Sequence, residues 1–128
     1  MRSTEHHIAM AFVMWWAYGC KRYGIPETLL LAIPNGGARH IAVARKLKAE
    51  GVRAGVSDYL LAVPRGVYHG LFLELKAGGP GIPKGRVSKE QMAFGDTVRA
   101  QWYSFGVAYG TDEAINLVDM YLMTGAKA

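Results

Sequence analysis

Two acidic residues and a lysine stand at the ends of two short apolar segments that are typical of paired strands. Asp58 precedes the first segment, and Glu74 and Lys76 end the second. Apolar segments on either side of a turn predict a hairpin. With the turn centred on Gly66, residue 58 pairs with residue 74, and paired residues point to the same face. Because strand side chains alternate between faces, Glu74 and Lys76 share that face as well. The pattern predicts two carboxylates and one ammonium group meeting at the sheet edge.

Such a group of charges indicates a metal site. Two adjacent carboxylates repel each other, which raises the pKa of one of them. A divalent cation removes this conflict, and carboxylate oxygens suit Mg²⁺ or Mn²⁺. Lys76 beside the ion can stabilise an anion or position a water molecule. The alternative is a surface hairpin, in which Asp58 ends a strand and Glu74 and Lys76 lie on a solvent-exposed face.

The composition predicts one globular domain covering residues 1–128. The chain has 128 residues, of which 51% are hydrophobic and 20% are charged. This length allows a sizeable core, and this composition excludes a disordered chain. The net charge of +5 favours polyanionic partners such as nucleic acid, which are bound through phosphate contacts.

Cysteine content and hydropathy indicate an intracellular protein without a membrane segment. Cys20 is the only cysteine, which excludes an intramolecular disulfide and a cysteine-based zinc cluster and fits a reducing cytosol. The apolar run from Ile8 to Tyr18 is too short to span a bilayer, and no signal-peptide cleavage site follows it. We expect it to form a helix that is buried on most of its surface, in the core or against a second subunit.

Periodicity and turn residues predict the element order α-β-α-β-β-α-β-α. Ser88-Lys89-Glu90-Gln91 matches a capping box and so marks the start of the third helix. The glycine- and proline-rich stretch 77–87 predicts a loop, with a hypothetical role as a flap over substrate. The predicted helices cover residues 4–23 (capped by Ser3 or Thr4), 38–50, 89–104 and 111–122, and the predicted strands cover 29–33 (short and buried), 58–63, 70–76 and 105–109. This order predicts an α/β fold with a mixed central sheet of about four strands flanked by helices.

An ordered set of motifs resembles the VRR-NUC domain of the PD-(D/E)xK nuclease superfamily. The motifs are Pro34-Asn35-Gly36-Gly37, the Gly51–Asp58 segment Gly-Val-Arg-Ala-Gly-Val-Ser-Asp, Glu74-Leu75-Lys76 and Ser88-Lys89-Glu90-Gln91. The likeness extends from Glu5 to about Tyr121 and implies a restriction-endonuclease-like core. One departure is Ser57, which stands where the superfamily pattern has proline.

The resemblance implies a role for each matching residue. The implied metal ligands are Asp58, Glu74 and the main-chain carbonyl of Leu75. The implied catalytic residues are Lys76, Gln91 and the first-helix acid Glu5. Two of these residues have alternatives, because Gln91 also fits a capping residue and Glu5 also fits a first-turn carboxylate favoured by the helix dipole.

The resemblance also implies the partners. Stand-alone viral and bacterial members of the family are similar to Holliday-junction resolvases and form dimers. The resemblance therefore implies branched DNA as substrate and a homodimeric assembly. It also implies a location in the cytoplasm of a bacterium or of an infected host cell. Contacts to the DNA backbone are expected from polar and basic residues: Asn35, Gly36, Arg39, Arg53, Lys84 and Lys89. The alternatives are an ordinary turn at 35–37 and a solvated basic surface elsewhere.

Three functional hypotheses follow. The first is a Mg²⁺- or Mn²⁺-dependent DNA endonuclease that hydrolyses phosphodiester bonds and selects branched DNA or four-way junctions as substrates. The second is a non-catalytic nucleic-acid-binding module that uses the basic surface. Acidic residues beside phosphates argue against binding alone. The third is an interaction protein assembled through its Met- and Trp-rich first helix.

Overall fold

The computed structural model describes residues 2–34 and 41–124 and confirms the predicted element order. The helices are α1 (Arg2–Gly19), α2 (Ile41–Ala49), α3 (Lys89–Ala100) and α4 (Thr111–Met123), with 3₁₀ turns at Cys20–Tyr23 and Glu27–Leu29. The strands are β1 (Leu30–Ala32), β2 (Tyr59–Leu61), β3 (Leu71–Lys76) and β4 (Ser104–Tyr109).

The four strands form one mixed sheet in the order β1-β2-β3-β4. The β1·β2 and β2·β3 pairs are antiparallel, whereas β3 and β4 are parallel. Tyr59 pairs with Leu73 and Leu61 pairs with Leu71, which is the register expected for a turn centred on Gly66. The predicted hairpin register and the mixed α/β sheet are therefore confirmed.

Helices cover both faces of the sheet. On one face the alternate β3 residues Leu71, Leu73 and Leu75 join the hydrophobic core with side chains of α1 and α4, among them Phe12 and Val118. On the other face Phe72 meets Phe94 of α3, with ring centroids 5.0 Å apart. Burial of these alternating apolar residues drives the layering, since each strand has apolar side chains to cover on both faces.

The first helix and first strand differ from their predictions in detail. The helix begins at Arg2, so the predicted cap at Ser3 or Thr4 is wrong. It continues as a 3₁₀ turn to Tyr23, and Gly24 ends that turn in the left-handed conformation, with φ of 69°. The predicted burial of β1 is also wrong, because β1 is an edge strand and Leu31 is exposed.

The third helix is shorter than predicted. It ends at Ala100, not at residue 104, because the N–H of Tyr103 donates to the carbonyl of Val98 and closes the helix end. Trp102 takes the left-handed conformation, with φ of 65°, at a position where glycine is the common residue. The sequence has no glycine there to mark the end. Ser104 then begins β4.

The second helix and the glycine-rich loop lie at the surface. α2 has no buried residue, and residues 38–40 of the predicted helix lie outside the described part of the chain. The loop prediction for 77–87 is confirmed, and two contacts shape the loop: the bridge between Gly79 and Ile82, and the hydrogen bond from the N–H of Gly85 to the carbonyl of Ala77. Motion of this loop over substrate stays a prediction.

The first helix buries one side and exposes the other. Phe12 and Trp16 lie in the core, whereas Met14 and Tyr18 are exposed and line an apolar groove of 590 Å³. The expectation that the core buries most of α1 is therefore wrong, since only Ile8, Phe12 and Trp16 among residues 8–18 of this helix are buried. Burial of the exposed side against a second subunit stays a prediction. Across the described residues, no helix combines the length and apolar character needed to cross a membrane.

Candidate active site

The residues predicted to do chemistry converge on one polar cavity of 330 Å³. Asp58 lies directly before β2, and Glu74 and Lys76 lie at the carboxyl end of β3. Gln91 lies in the first turn of α3, and Glu5 lies in the first turn of α1. All five side chains line the cavity, so sheet register and two helix starts bring together residues that are far apart in the sequence.

Glu74 is the buried centre of this site, with only 3% of its surface exposed. Its Oε2 atom accepts a hydrogen bond of 2.8 Å from Nε2 of Gln91 and lies 3.6 Å from Nζ of Lys76. Its Oε1 atom is buried and has no hydrogen-bond partner among the described residues. The alternative of a solvent-exposed strand face is therefore wrong for Glu74.

Asp58 is held by the backbone of the neighbouring strand. Its Oδ2 atom accepts a hydrogen bond of 2.8 Å from the main-chain N–H of Leu75. The main-chain carbonyls of Gly70 and Lys76 accept hydrogen bonds from residues next to β4 or at its start. The main-chain N–H and C=O groups of even-numbered residues in β3 therefore point towards β4. The odd-numbered Leu75 therefore presents its N–H and its carbonyl to the edge where Asp58 lies, which suits the predicted role of that carbonyl.

Burial and mutual repulsion disturb both carboxyl groups. Burial raises the pKa of Glu74 to about 8, the charge of Asp58 adds to this shift, and the Lys76 ammonium opposes it. Burial also raises the pKa of Asp58, against the lowering effect of the hydrogen bond from Leu75. At neutral pH the pair therefore holds a proton in the absence of a cation.

The donor set fits a hard divalent cation. Within residues 2–34 and 41–124, no three or more His, Cys, Asp and Glu side chains are grouped to hold a metal by themselves. The available ligands are instead the carboxylates of Asp58 and Glu74, one oxygen of which is buried and unpartnered, and the adjacent carbonyl of Leu75. Such a set leaves coordination positions for water, as Mg²⁺ prefers. A divalent charge would also relieve the repulsion between Asp58 and Glu74.

Glu5, Gln91 and Ser57 differ in their burial and in their hydrogen bonds. Glu5 is exposed at the side of the cavity, and its charge contributes to the raised pKa of Asp58. Gln91 forms the predicted capping box with Ser88 and also contacts Glu74, so its two proposed roles coexist. Ser57 is fully buried, and its hydroxyl has no hydrogen-bond partner in the described chain.

The predicted nucleic-acid contacts remain predictions. Asn35, Gly36 and Arg39 lie outside the described residues. Arg53, Lys84 and Lys89 are exposed, as a contact to a phosphate backbone requires. Nζ of Lys84 lies 4.7 Å from the centroid of the Tyr109 ring, which orients that lysine over the end of β4.

Gly55 and Glu90 are among the cavity residues that were not predicted as site residues. Gly55 has a φ of 85°, and a Cβ atom there would lie 2.4 Å from the main-chain oxygen of Glu90. Glu90 itself lines the cavity. The glycine-containing motif before Asp58 indicates a special backbone position, but only the fold reveals that the first turn of α3 is the neighbour.

The comparisons with known proteins agree with this architecture. A solved structure described as a VRR_NUC domain protein superimposes with a TM-score of 0.77 and 27% sequence identity, over 95% of this chain and 90% of that chain. No protein-family model matches the sequence, and no curated protein matches it. The sheet, the flanking helices and the Asp58–Glu74–Lys76 arrangement define a restriction-endonuclease-like domain of the nuclease type. Within that class, this likeness supports the VRR-NUC resemblance that the sequence motifs indicate.

Proposed function

We propose that this protein is a divalent-metal-dependent DNA endonuclease that hydrolyses phosphodiester bonds. The observation that carries the proposal is the state of Glu74. Its buried carboxylate has one unpartnered oxygen and lies beside Asp58 and Lys76 in an open polar cavity. A structural carboxylate is normally paired by the protein itself, whereas this one has capacity left for a ligand.

The metal ligands in this proposal are Asp58, Glu74 and the carbonyl of Leu75, and the metal is Mg²⁺ or Mn²⁺. When bound, such an ion would act as a Lewis acid and would lower the pKa of a coordinated water. Lys76 lies close enough to Glu74 to hold the attacking water or to neutralise charge on the phosphate. The N-terminal end of α3 adds a favourable field for a phosphate group. Glu5 acts from α1 as an additional acidic group.

The proposed substrate is branched DNA, and the proposed assembly is a homodimer. The net charge of +5 favours a polyanion, and symmetric cleavage of a four-way junction requires two active sites. The apolar groove on α1, lined in part by Met10, Val13, Met14 and Tyr18, is the surface we assign to the second copy. A symmetric pair of such faces would be self-complementary.

A cleavage assay tests the function. Labelled linear, flap and four-way-junction DNA are incubated with the protein in Mg²⁺, in Mn²⁺ and in EDTA. We expect metal-dependent cleavage that is fastest on branched substrates and absent in EDTA. Binding to every DNA without cleavage in either metal would favour a non-catalytic binding module. No DNA binding at low salt would favour an interaction protein.

A further inference from the structure

The side chain of Gln91 is fixed at both ends of its amide group. Its Oε1 atom accepts a hydrogen bond of 2.8 Å from the main-chain N–H of Ser88. Its Nε2 atom donates a hydrogen bond of 2.8 Å to Oε2 of Glu74. The main-chain N–H of Gln91 in turn donates to Oγ of Ser88, at 3.1 Å, and completes the capping box. A helix cap and an active-site carboxylate therefore share one glutamine.

These contacts permit one orientation of the amide. The main-chain N–H of Ser88 can only donate, so it requires the carbonyl oxygen of the amide. Oε2 of Glu74 lies 3.6 Å from the Lys76 ammonium and acts as an acceptor, so it requires the NH₂ group of the amide. A flipped amide would place oxygen against oxygen and N–H against N–H. The cap thus keeps the NH₂ group of Gln91 on Oε2 and leaves Oε1 of Glu74 as the oxygen without a protein partner.

The loop before Asp58 packs against the first turn of α3, the turn that contains Gln91. Gly55 packs on the backbone of Glu90, one residue before Gln91, and its φ of 85° is unfavourable for other residues. Any side chain at position 55 would push the first turn of α3 away from the loop. The glycine in the motif before Asp58 therefore sets how closely Gln91 approaches Glu74.

We propose that Gln91 is a positioning residue, locked by the Ser88 cap and by the packing of Gly55, that directs the free oxygen of Glu74 to the metal. This role rests on the proposed metal-dependent nuclease function, but it differs from direct contact with substrate. Gln91 acts through Glu74 and does so before DNA binds. The role therefore has a consequence that can be measured without DNA.

The first test is Mn²⁺ affinity of the DNA-free protein, measured by calorimetry. Gln91→Leu keeps the size of the side chain and removes both hydrogen bonds. Loss of a residue that orients a metal ligand typically weakens metal binding about 10- to 100-fold, and we expect a loss in that range. The control is Thr97→Gly, which weakens α3 at an exposed position away from the cavity and should leave Mn²⁺ affinity unchanged.

The second test uses two glycines and does not alter the amide. Gly55→Ala introduces both left-handed strain and the collision with Glu90. Gly51→Ala introduces comparable strain, since its φ is 104°, but its added Cβ meets nothing within 4 Å. We expect weaker Mn²⁺ binding from Gly55→Ala alone. This pair decides the question even if Gln91→Leu folds poorly.

Each outcome has a distinct meaning. Wild-type Mn²⁺ affinity in Gln91→Leu, together with lost cleavage, would overturn the positioning role and indicate that Gln91 contacts substrate. Equal Mn²⁺ affinity in the two glycine variants would overturn the role assigned to Gly55. An absence of Mn²⁺ binding and of cleavage in the wild-type protein would instead overturn the proposed nuclease function, and the positioning role with it.

Discussion

The main-chain N–H of Leu75 donates a hydrogen bond to Oδ2 of Asp58, and this bond links the chain before β2 to the carboxyl end of β3. The bond extends the hairpin beyond its last paired residues, Tyr59 and Leu73. It also holds the Asp58 carboxylate beside Glu74, where its charge raises the pKa of the buried carboxyl group. Asp58 is therefore both a structural acceptor and one half of a repulsive pair.

Replacement of Asp58 by asparagine separates these two functions. The amide oxygen of Asp58→Asn can still accept from Leu75, whereas the negative charge is lost. Since changes around a metal ligand typically cost 10- to 100-fold, loss of a charged ligand should reduce cleavage by at least about 100-fold. DNA binding should stay the same or strengthen, because one negative charge near the phosphates is removed. Cleavage kinetics and binding in EDTA measure the two effects.

The control for this variant is Asp96→Asn on the exposed surface of α3. It removes the same charge away from the cavity and should cleave at the wild-type rate. Retained cleavage in Asp58→Asn would remove Asp58 from the mechanism.

The pKa of Glu74 predicts how stability depends on pH in the metal-free protein. The folded pKa is about 8, above the ordinary value of 4.5, so the folded state binds the extra proton between these values. The stabilising contribution is therefore complete below about pH 4.5 and is lost as the pH rises through about 8. We expect the free energy of unfolding in EDTA to fall across this window, by at most about 1.4 kcal/mol per pH unit. Urea denaturation at several pH values provides the measurement.

Two comparisons assign that slope to Glu74. Glu74→Gln removes the titrating group and should flatten the slope between these pH values. Saturating Mg²⁺ should restore stability to the wild-type protein at pH 8, because a cation replaces the proton. A slope that Glu74→Gln leaves unchanged would show that other groups cause it.

Lys76 is expected to act on the reaction more than on metal binding. Its ammonium group lies 3.6 Å from Oε2 of Glu74, so it opposes rather than assists a cation electrostatically. Lys76→Ala should reduce the turnover number by about 10²-fold or more, in the range for loss of one charge-stabilising group. Mn²⁺ affinity should stay the same or rise slightly, because a positive charge near the ion is removed. Calorimetry that shows a large loss of metal affinity with normal turnover would make Lys76 a structural residue.

Short-range patterns in the sequence predicted the centre of the fold. The hairpin register followed from a turn position and strand alternation, which together determine which side chains share a face. The start of α3 followed from a capping box whose four residues are contiguous. These features also place Asp58, Glu74 and Lys76 together, so most of the candidate site was predictable.

Features that depend on distant packing were not predictable. The exposure of Leu31 depends on β1 being at the sheet edge, which no local pattern specifies. The end of α3 depends on Trp102 taking a conformation that the residue type disfavours. The contact between Gln91 and Glu74 requires α3 to pack at a particular depth, and that depth depends on Gly55 and Glu90, which are 35 positions apart.

The left-handed conformation of Trp102 predicts that glycine is more stable than alanine at this position. Trp102→Gly removes the steric cost of a positive φ, whereas Trp102→Ala keeps that cost. Both variants lose the same indole, which is 60% exposed. We expect Trp102→Gly to be more stable than Trp102→Ala by about 1 kcal/mol, since αL costs roughly that much for residues with a Cβ. Thermal denaturation of the two variants measures the difference, and equal stability would mean that the helix end adjusts its backbone.

The groove on α1 predicts the oligomeric state. Stable protein interfaces bury about 800 Å² per partner, mostly around an apolar centre, and exposed methionines on α1 supply such a centre. Met14 is 61% exposed, so Met14→Lys should leave the fold stable while it places a charge in the groove. We expect light scattering to show a dimer for the wild-type protein and a monomer for this variant. Met120→Lys is the matched control, because Met120 is 70% exposed on α4 outside the groove. A dimer that persists in Met14→Lys but dissociates in Met120→Lys would show that the interface lies on α4. A monomeric wild-type protein would mean that each strand of a junction is cut independently.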